Sequence, residues 1–251
     1  HLINARIFIS LYDNIFNNLR YMNLDIIIPC YNEEKTIESI VIESIKHLST
    51  KDNLLIVDDG STDKSNFLIK KLANKFSNIN LMKHEKNLGK GAAIQTALKR
   101  VKNEIVIIQD SDLEYNPSEY KKLINPILKL KADVVYGSRF VSSDEHRVLY
   151  FWHRIGNSLL TFLSNVFTNL NLTDMEVGLK AFKSDKILKL NLKEKRFGFE
   201  PEVTIKLAKQ KCIFYEVGIS YRGRTYEEGK KIGLLDAFVA IYCIFRYSIF
   251  D

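Results

Sequence analysis

The chain has 251 residues, of which 46% are hydrophobic and 27% are charged, a composition that supports one large domain with a sizeable core and excludes an intrinsically disordered protein. The formal net charge of +7 indicates either an anionic partner, such as a phosphorylated ligand or an acidic lipid surface, or simply a lysine-rich solvated surface. The chain has no long basic run of the kind that forms a DNA-binding arm, so nucleic acid is not an expected partner.

Residues 1–21 are predicted to form a helical extension outside the main domain. Ile3, Ile7 and Leu11 follow one another at roughly helical spacing, and Met22 stands directly before the first strand signal. The segment lacks the unbroken apolar stretch and the cleavage site of a signal peptide.

From Asp25 onwards, short apolar runs alternate with helical patterns. The predicted strands are residues 26–28, 54–57, 80–82, 105–108 and 134–136. One helix is predicted over residues 37–48 and another over 91–101. Between them, a further helix is predicted to follow the second strand, with Ser61 or Thr62 as its N-terminal cap. Short buried strands that alternate with helices indicate parallel pairing, so the sequence predicts an α/β sheet covered on both faces.

After about residue 145 the alternation ends, and two apolar segments follow. Residues 155–170 predict a helix with an apolar stripe, and its opposite face carries only uncharged polar residues, among them Asn157, Thr161 and Asn165. Because a solvated helix face usually carries charges, we expect this polar face to be packed or to lie at a lipid interface. Residues 237–245 are all apolar, but nine residues are too few to span a bilayer.

Carboxylates collect where the predicted strands end, which is where parallel sheets bind ligands. Asp110 and Asp112 follow one strand, and residues i and i+2 of an extended segment point the same way. The two carboxylates are therefore candidates for a divalent cation such as Mg²⁺, with Glu114 as a third ligand. A loop capped by aspartate side chains is the alternative interpretation.

Two basic segments are candidates for phosphate binding. Residues 87–91 resemble a phosphate loop but lack the spacing of a P-loop, so Lys90 is interpreted more conservatively as a solvated lysine. The second segment contains Arg222, Arg224, Lys230 and Lys231 with two glycines, and its cations could neutralise a diphosphate. An exposed basic loop is the alternative there. Cys30, Cys212 and Cys243 are far apart and typical of reduced thiols in a cytoplasmic protein.

Taken together, these segments resemble the family 2 glycosyltransferases, and within them the polyprenyl-phosphate sugar transferases that include dolichol-phosphate mannose synthases. The matching segments occur in the family's order and cover roughly residues 23–235. They are IIIPCYNEE (26–34), IVDDGSTD (56–63), NLGKGAA (87–93), QDSDLEYNP (109–117), GSRF (137–140), TDMEVGLKAF (173–182), FGFEPEV (197–203) and YRGRTYEEGKK (221–231).

The resemblance implies a GT-A-type fold over residues 22–232, with a mostly parallel central sheet and helices on both faces. The apolar run 237–245 separately predicts a C-terminal apolar helix over residues 233–251, a candidate membrane-interface element. The implied nucleotide-sugar site consists of Pro29, Tyr31, Glu33, Val57, Asp59, Asp110, Asp112 and Arg139. The implied catalytic residues are Asp112, Asp174, Arg224 and Lys230, and Mg²⁺ or Mn²⁺ would be held by Asp110, Asp112 and Glu114.

The activity that the resemblance implies is inverting transfer of a hexose from UDP-glucose or GDP-mannose to a polyprenyl phosphate, for cell-envelope glycan or glycolipid synthesis. A lipid phosphate with a second pKa of about 6 is largely dianionic at neutral pH, so it needs no strong general base. The protein is expected to be cytoplasmic and peripheral, on an anionic surface at the inner face of the membrane. A homo-oligomer is left open.

Three other functions remain open from the sequence. A relative that glycosylates a sugar or protein hydroxyl would need Asp174 as a base. A nucleotidyltransferase would require a glycine-rich Lys/Arg signature near the first strand, where this chain has PCYNEE. A non-catalytic nucleotide-sugar-binding protein would have no use for the cationic cluster.

Overall fold

A computed structural model describes residues 22–141, 148, 150–223 and 234–250. The predicted extension 1–21 lies outside these residues, and so do Arg224 and Lys230.

The described residues form a seven-stranded sheet. Its strands are β1 (Leu24–Cys30), β2 (Asn53–Asp58), β3 (Ile79–Lys83), β4 (Ile105–Ile108), β5 (Val134–Ser138), β6 (Lys180–Lys183) and β7 (Phe214–Gly218). Their order across the sheet is β3-β2-β1-β4-β6-β5-β7. All neighbours pair in parallel except β6, which is antiparallel to both β4 and β5. The five predicted strands and the mostly parallel sheet are confirmed, whereas β6 and β7 were not predicted.

Helices cover the sheet on both faces, as expected. The helices of the described residues are α1 (Ile37–Lys46), α2 (Ser65–Lys75), α3 (Lys90–Leu98), α4 (Tyr120–Leu130), α5 (Phe151–Thr168), α6 (Ser184–Ile187), α7 (Phe199–Lys209) and α8 (Leu234–Ile249), with a 3-10 turn over Pro117–Glu119 before α4. The predicted helices over 37–48 and 91–101 correspond to α1 and α3, each of which ends two or three residues earlier than expected.

The predicted cap of α2 is wrong. The helix begins at Ser65, beyond both Ser61 and Thr62. These two residues instead contact the loop after β1, because Ser61 Oγ accepts a hydrogen bond from the amide of Asn32 and Asn32 Oδ1 accepts one from the amide of Thr62. The two loops at the ends of β1 and β2 are thereby tied together.

A second, smaller apolar cluster lies beside the sheet, where α5, α7 and α8 pack together. Its buried members are Leu160, Met175, Ile205, Ala240, Cys243, Ile244 and Tyr247. The apolar run 237–245 lies inside α8 and supplies part of this cluster. Within the described ranges, no helix is long and apolar enough to cross a membrane.

Helix α5 turns its polar side inward. Thr161 and Ser164 of the uncharged face are buried against the protein, whereas Ser158 and Asn169 of that face are exposed, so this face is packed only in part. The apolar stripe faces outward instead, and Phe162 is 62% exposed. This orientation reverses the usual arrangement of an amphipathic surface helix.

Candidate active site

The carboxyl ends of β1, β2, β4 and β5 lie at one edge of the sheet, because these strands run in the same direction. β6 runs the other way, so the segment that precedes it arrives at this same edge. Lys180, the first residue of β6, pairs with Ile108 of β4 on one side and with Tyr136 of β5 on the other. The candidate residues on either side of β6 are thus brought to one rim.

The predicted nucleotide residues of β1 and β2 lie at this rim, although several are committed to the protein itself. Pro29 and Val57 are paired across the two strands and buried. Glu33 is also buried, and its Oε2 accepts a hydrogen bond from Thr36 Oγ1 at 2.9 Å. Tyr31 is partly exposed. These four residues lie where the nucleotide site was expected, and the role of each stays a prediction.

Asp59 holds the loop that leads into α3. Its carboxylate accepts hydrogen bonds from the amides of Leu88 at 2.9 Å and Gly89 at 2.7 Å. Its Oδ1 also lies 2.7 Å from Nδ1 of His84. Because Asp59 is buried and has these three partners, its first effect is to fix the shape of the loop beside the rim.

Lys90 is not the solvated lysine that the sequence favoured. Its Nζ lies 2.8 Å from Asp110 Oδ1 and 2.8 Å from Glu200 Oε1, and its side chain is only 16% exposed. Burial alone would lower the pKa of Lys90, but the attraction of the two carboxylates outweighs it and raises the pKa above its ordinary value. Lys90 therefore stays charged and joins Asp110 to α7.

Gly178 lets the segment before β6 close on Asp110 from the other side. A Cβ at this position would overlap Oδ2 of Asp110 and would come within 2.8 Å of the Tyr115 ring. The amide of Gly178 donates a hydrogen bond to the Tyr115 hydroxyl at 3.1 Å. Any side chain here would displace the carboxylate that Lys90 holds.

The three predicted metal ligands are not gathered into one group. Within the described parts of the chain, no cluster of three or more His, Cys, Asp or Glu side chains could hold a metal ion. Asp110 is directed at Lys90, and Glu114 Oε2 accepts a hydrogen bond from the Tyr221 hydroxyl at 2.9 Å. Asp112 is partly exposed further along the same loop. Because Mg²⁺ commonly takes only one or two protein carboxylates and completes its shell with phosphate oxygens, the ligand roles of Asp112 and Glu114 stay a prediction.

Arg139 and Asp174 form a two-pronged ion pair at the end of β5. Arg139 Nε and Nη2 each lie 2.6 Å from an oxygen of Asp174, and the Arg139 amide donates a third hydrogen bond to it at 3.1 Å. Asp174 is fully buried. Burial opposes the charge of Arg139, but the attraction of Asp174 outweighs it and raises the pKa of the guanidinium.

A buried group of charges behind the rim was missed from the sequence. Lys180 is fully buried, donates to the carbonyl of Val177 and lies 4.6 Å from the centre of the Tyr136 ring. Burial lowers the pKa of Lys180 to about 8. Burial and the nearby Glu200 raise the pKa of Glu176 to about 8. The segments TDMEVGLKAF and FGFEPEV contain these residues, but no spacing signal joins the two segments because they lie on separate elements.

Tyr221 anchors the start of the segment that contains Arg224 and Lys230. It forms a β-bridge with Tyr115, and the Arg222 amide donates to the carbonyl of Glu114 at 3.0 Å. The guanidinium of Arg139 lies 5.2 Å from the centre of the Tyr221 ring. Tyr221 and Arg222 therefore lie beside the rim. The roles of Arg224 and Lys230 stay predictions.

Sequence comparison gives a family and several relatives. The family model described as "Glycosyl transferase family 2" matches residues 25–190. A UDP-N-acetylglucosamine–dolichyl-phosphate N-acetylglucosaminyltransferase of Methanococcus voltae is 30% identical over 234 residues, which cover 86% of this chain and 92% of that protein. A dolichyl-phosphate beta-glucosyltransferase of Trichomonas vaginalis is 29% identical over 242 residues, covering 89% and 72%. A dolichol-phosphate mannosyltransferase of Pyrococcus furiosus is 23% identical over 218 residues, covering 84% and 61%.

Comparison with solved structures finds proteins that share the fold of this chain. The crystal structure of glucosyl-3-phosphoglycerate synthase from Mycobacterium tuberculosis, in complex with Mn²⁺, UDP and glucosyl-3-phosphoglycerate, matches with a TM-score of 0.70 at 21% identity and covers 92% of this chain and 82% of that one. The expectation of a GT-A fold is confirmed.

Proposed function

The chain belongs to glycosyl transferase family 2, and from that premise we propose that it transfers a hexose from a nucleotide diphosphate sugar to a polyprenyl phosphate. The choice of acceptor rests on the contacts that the Asp174 carboxylate makes. A hydroxyl acceptor needs a base, and Asp174 was the candidate. Both oxygens of this buried carboxylate are occupied by Arg139, which supports an acceptor that arrives already ionised.

The names of the relatives support the same acceptor with different sugars. The relatives from Methanococcus voltae, Trichomonas vaginalis and Pyrococcus furiosus are named for N-acetylglucosamine, glucose and mannose, and all three names contain dolichyl or dolichol phosphate. We therefore propose polyprenyl phosphate as the acceptor class, with UDP-glucose and GDP-mannose as the first donors to test.

In the proposed mechanism an oxygen of the acceptor phosphate attacks the anomeric carbon while the bond to the donor's diphosphate breaks. Attack from the far face inverts the anomeric configuration. Charge develops on the leaving diphosphate, and Arg224 and Lys230 are proposed to stabilise it. Asp112, with Glu114 beside it, would hold Mg²⁺ or Mn²⁺, which neutralises part of the diphosphate charge when bound.

We also propose that the protein docks on the inner face of the membrane through α5 and α8. The outward side chains of these helices are apolar and well exposed. They include Phe151, Trp152, Ile155, Leu159, Phe162 and Val166 of α5, and Phe238, Val239, Tyr242 and Ile249 of α8. Contiguous exposed apolar surface marks an interaction site, and aromatic residues favour the headgroup region of a bilayer. The net charge of +7 suits an anionic surface.

The proposed function is tested by offering one donor with two acceptors that differ in a single group. Polyprenyl phosphate should yield a sugar-phosphate lipid that mild acid cleaves, and the matching prenyl alcohol should yield nothing. Release of nucleoside diphosphate and the lipid product are measured together. Transfer to the alcohol, or to a soluble sugar at a comparable rate, would replace the phosphate acceptor with a hydroxyl acceptor.

A further inference from the structure

Helix α5 carries two rows of side chains with opposite character. Ile155, Leu159, Phe162 and Val166 form the outer row and are all exposed. Asn157, Thr161 and Asn165 lie one turn apart from each other, so they form a single inner row. One helix thus presents an apolar surface to the outside and a polar row to the protein.

Each member of the inner row bonds either to the Arg139–Asp174 pair or to the backbone of residues 172–175. Asn157 Oδ1 accepts from Arg139 Nη2 at 3.2 Å, and its Nδ2 donates to Asp174 Oδ1 at 3.2 Å. Thr161 Oγ1 accepts from the amide of Met175 at 3.1 Å. Asn165 accepts from the amide of Leu172 at 3.1 Å and donates to its carbonyl at 2.8 Å.

These bonds attach the segment 172–175 and the Arg139–Asp174 pair to α5. Hydrogen bonds are directional, whereas apolar packing tolerates small slides of one surface over another. A shift of α5 along or about its axis therefore has to move Asp174 and Arg139 with it or break several bonds. Met175 adds packing to this attachment, since it is buried in the cluster between α5 and α8.

We propose that Asn157, Thr161 and Asn165 are positioning residues through which a lipid surface on the outer row of α5 sets the position of Arg139 and hence the rate of transfer. This inference rests on the proposed function. A bilayer that covers the outer row restrains α5, and the inner row passes this restraint to the rim. Coupling of this kind between two sites typically amounts to about 5- to 150-fold.

The test uses farnesyl phosphate, a short acceptor that needs no membrane to dissolve. Turnover is measured with and without vesicles of phosphatidylglycerol and phosphatidylcholine, and vesicle binding is followed separately by co-sedimentation. The wild type should gain at least about 5-fold in kcat on adding vesicles, with little change in the KM of the donor. Thr161→Val, which keeps the shape but loses the hydroxyl, should bind vesicles and lose most of this gain.

Thr161→Ser retains the hydroxyl and should restore the stimulation, while Ser158→Ala, on the exposed side of the same helix, should behave as wild type. A wild type that binds vesicles without any rise in kcat would overturn the inference. Equal stimulation of Thr161→Val and wild type would do the same.

Amide hydrogen exchange gives a readout that needs no turnover. The amides of Leu172 and Met175 donate to the inner row, so vesicle binding should slow their exchange in the wild type, and the slowing at Met175 should be absent in Thr161→Val. Failure of transfer with every acceptor would count against the proposed function, whereas unchanged exchange at both amides would count against the coupling.

Discussion

Lys90 is the residue whose removal should most disturb the rim. It neutralises Asp110 and Glu200, which are held 2.8 Å from its ammonium group. Lys90→Met should lower the free energy of unfolding by roughly 2–4 kcal/mol, because it leaves two carboxylates without their cation. Adding Glu200→Gln should recover part of that loss, so the double variant should be more stable than the sum of the single changes predicts. Urea unfolding of the wild type, the two single variants and the double variant measures this difference. Strictly additive changes in the free energy of unfolding would contradict the ion-pair assignment.

Asp112→Asn tests the metal assignment. Asp112 is the partly exposed carboxylate of the loop after β4, and a neutral amide is a much weaker ligand for a hard cation. We expect nearly all transfer activity to be lost while the circular dichroism spectrum and the unfolding midpoint stay close to those of the wild type. Excess EDTA should have the same effect on the wild type. Normal turnover in either experiment would remove the metal from the proposed mechanism.

Glu176 should give the protein a pH-dependent stability. Burial, together with Glu200, raises the pKa of Glu176 to about 8, so between pH 5 and 8 the folded protein holds a proton that the unfolded chain releases. The free energy of unfolding should therefore fall as the pH rises through this window. Glu176→Gln should remove roughly 1–3 kcal/mol of this fall. The exposed Glu85→Gln is the control, and a Glu176→Gln profile parallel to that of the control would show that Glu176 ionises normally.

Residues that lie next to a strand end could be placed from the sequence, while their partners could not. Asp110 lies two residues beyond the end of β4 and Arg139 one residue beyond the end of β5, so the strand pattern alone brings them to the rim. Glu200 meets Lys90 across 110 positions of the chain, and no local spacing signals such a contact. The contacts of the inner row of α5 could not be predicted for the same reason. The absence of charge indicated that this face is packed or lies at a lipid interface, but not that it bonds to Asp174.

Among the secondary-structure elements, the sequence missed the two strands that lack a typical hydrophobic strand pattern, β6 and β7. β6 is only four residues long and has lysine at both ends, so it lacks the continuous apolar run of β1 or β4. β7 is an edge strand with every residue partly exposed, which weakens its pattern further. Four of the predicted strands, β1, β2, β4 and β5, are buried almost throughout, and there the hydrophobic signal is strongest. The fifth, β3, is a largely exposed edge strand that was predicted from the short run Asn80-Leu81-Met82.

The outward stripe of α5 gives an element-level test of docking. Phe162→Glu places a charge in the middle of the exposed apolar row and should weaken vesicle binding, because a carboxylate resists entry into the headgroup boundary. Phe67→Glu is a matched control on α2, since Phe67 is 67% exposed and Phe162 62%. The fluorescence of Trp152, the sole tryptophan and itself exposed, should shift to the blue when vesicles bind. Equal binding by both variants would exclude α5 from the docking surface.

At the scale of the whole molecule, the net charge of +7 should make recruitment depend on salt. Anionic vesicles are expected to bind the protein at about 0.05 M salt and to release a large part of it at about 0.5 M, as the Debye length shortens. Co-sedimentation with anionic and with neutral vesicles measures the two contributions. Tight binding to neutral vesicles that salt does not change would indicate a purely hydrophobic anchor.

The outward apolar row of α5 also affects how the protein behaves when no lipid is present. Exposed apolar surface has a free-energy cost of about 25 cal/mol per Å² in water, and a second copy of the chain offers an identical surface to cover it. Two copies that meet face to face through this row would form a symmetric pair. Such a pair hides the surface that a bilayer would occupy, so self-association and lipid binding compete for one face. A dimer isolated from detergent-free buffer should therefore dissociate when vesicles are added, because the bilayer then covers the same surface.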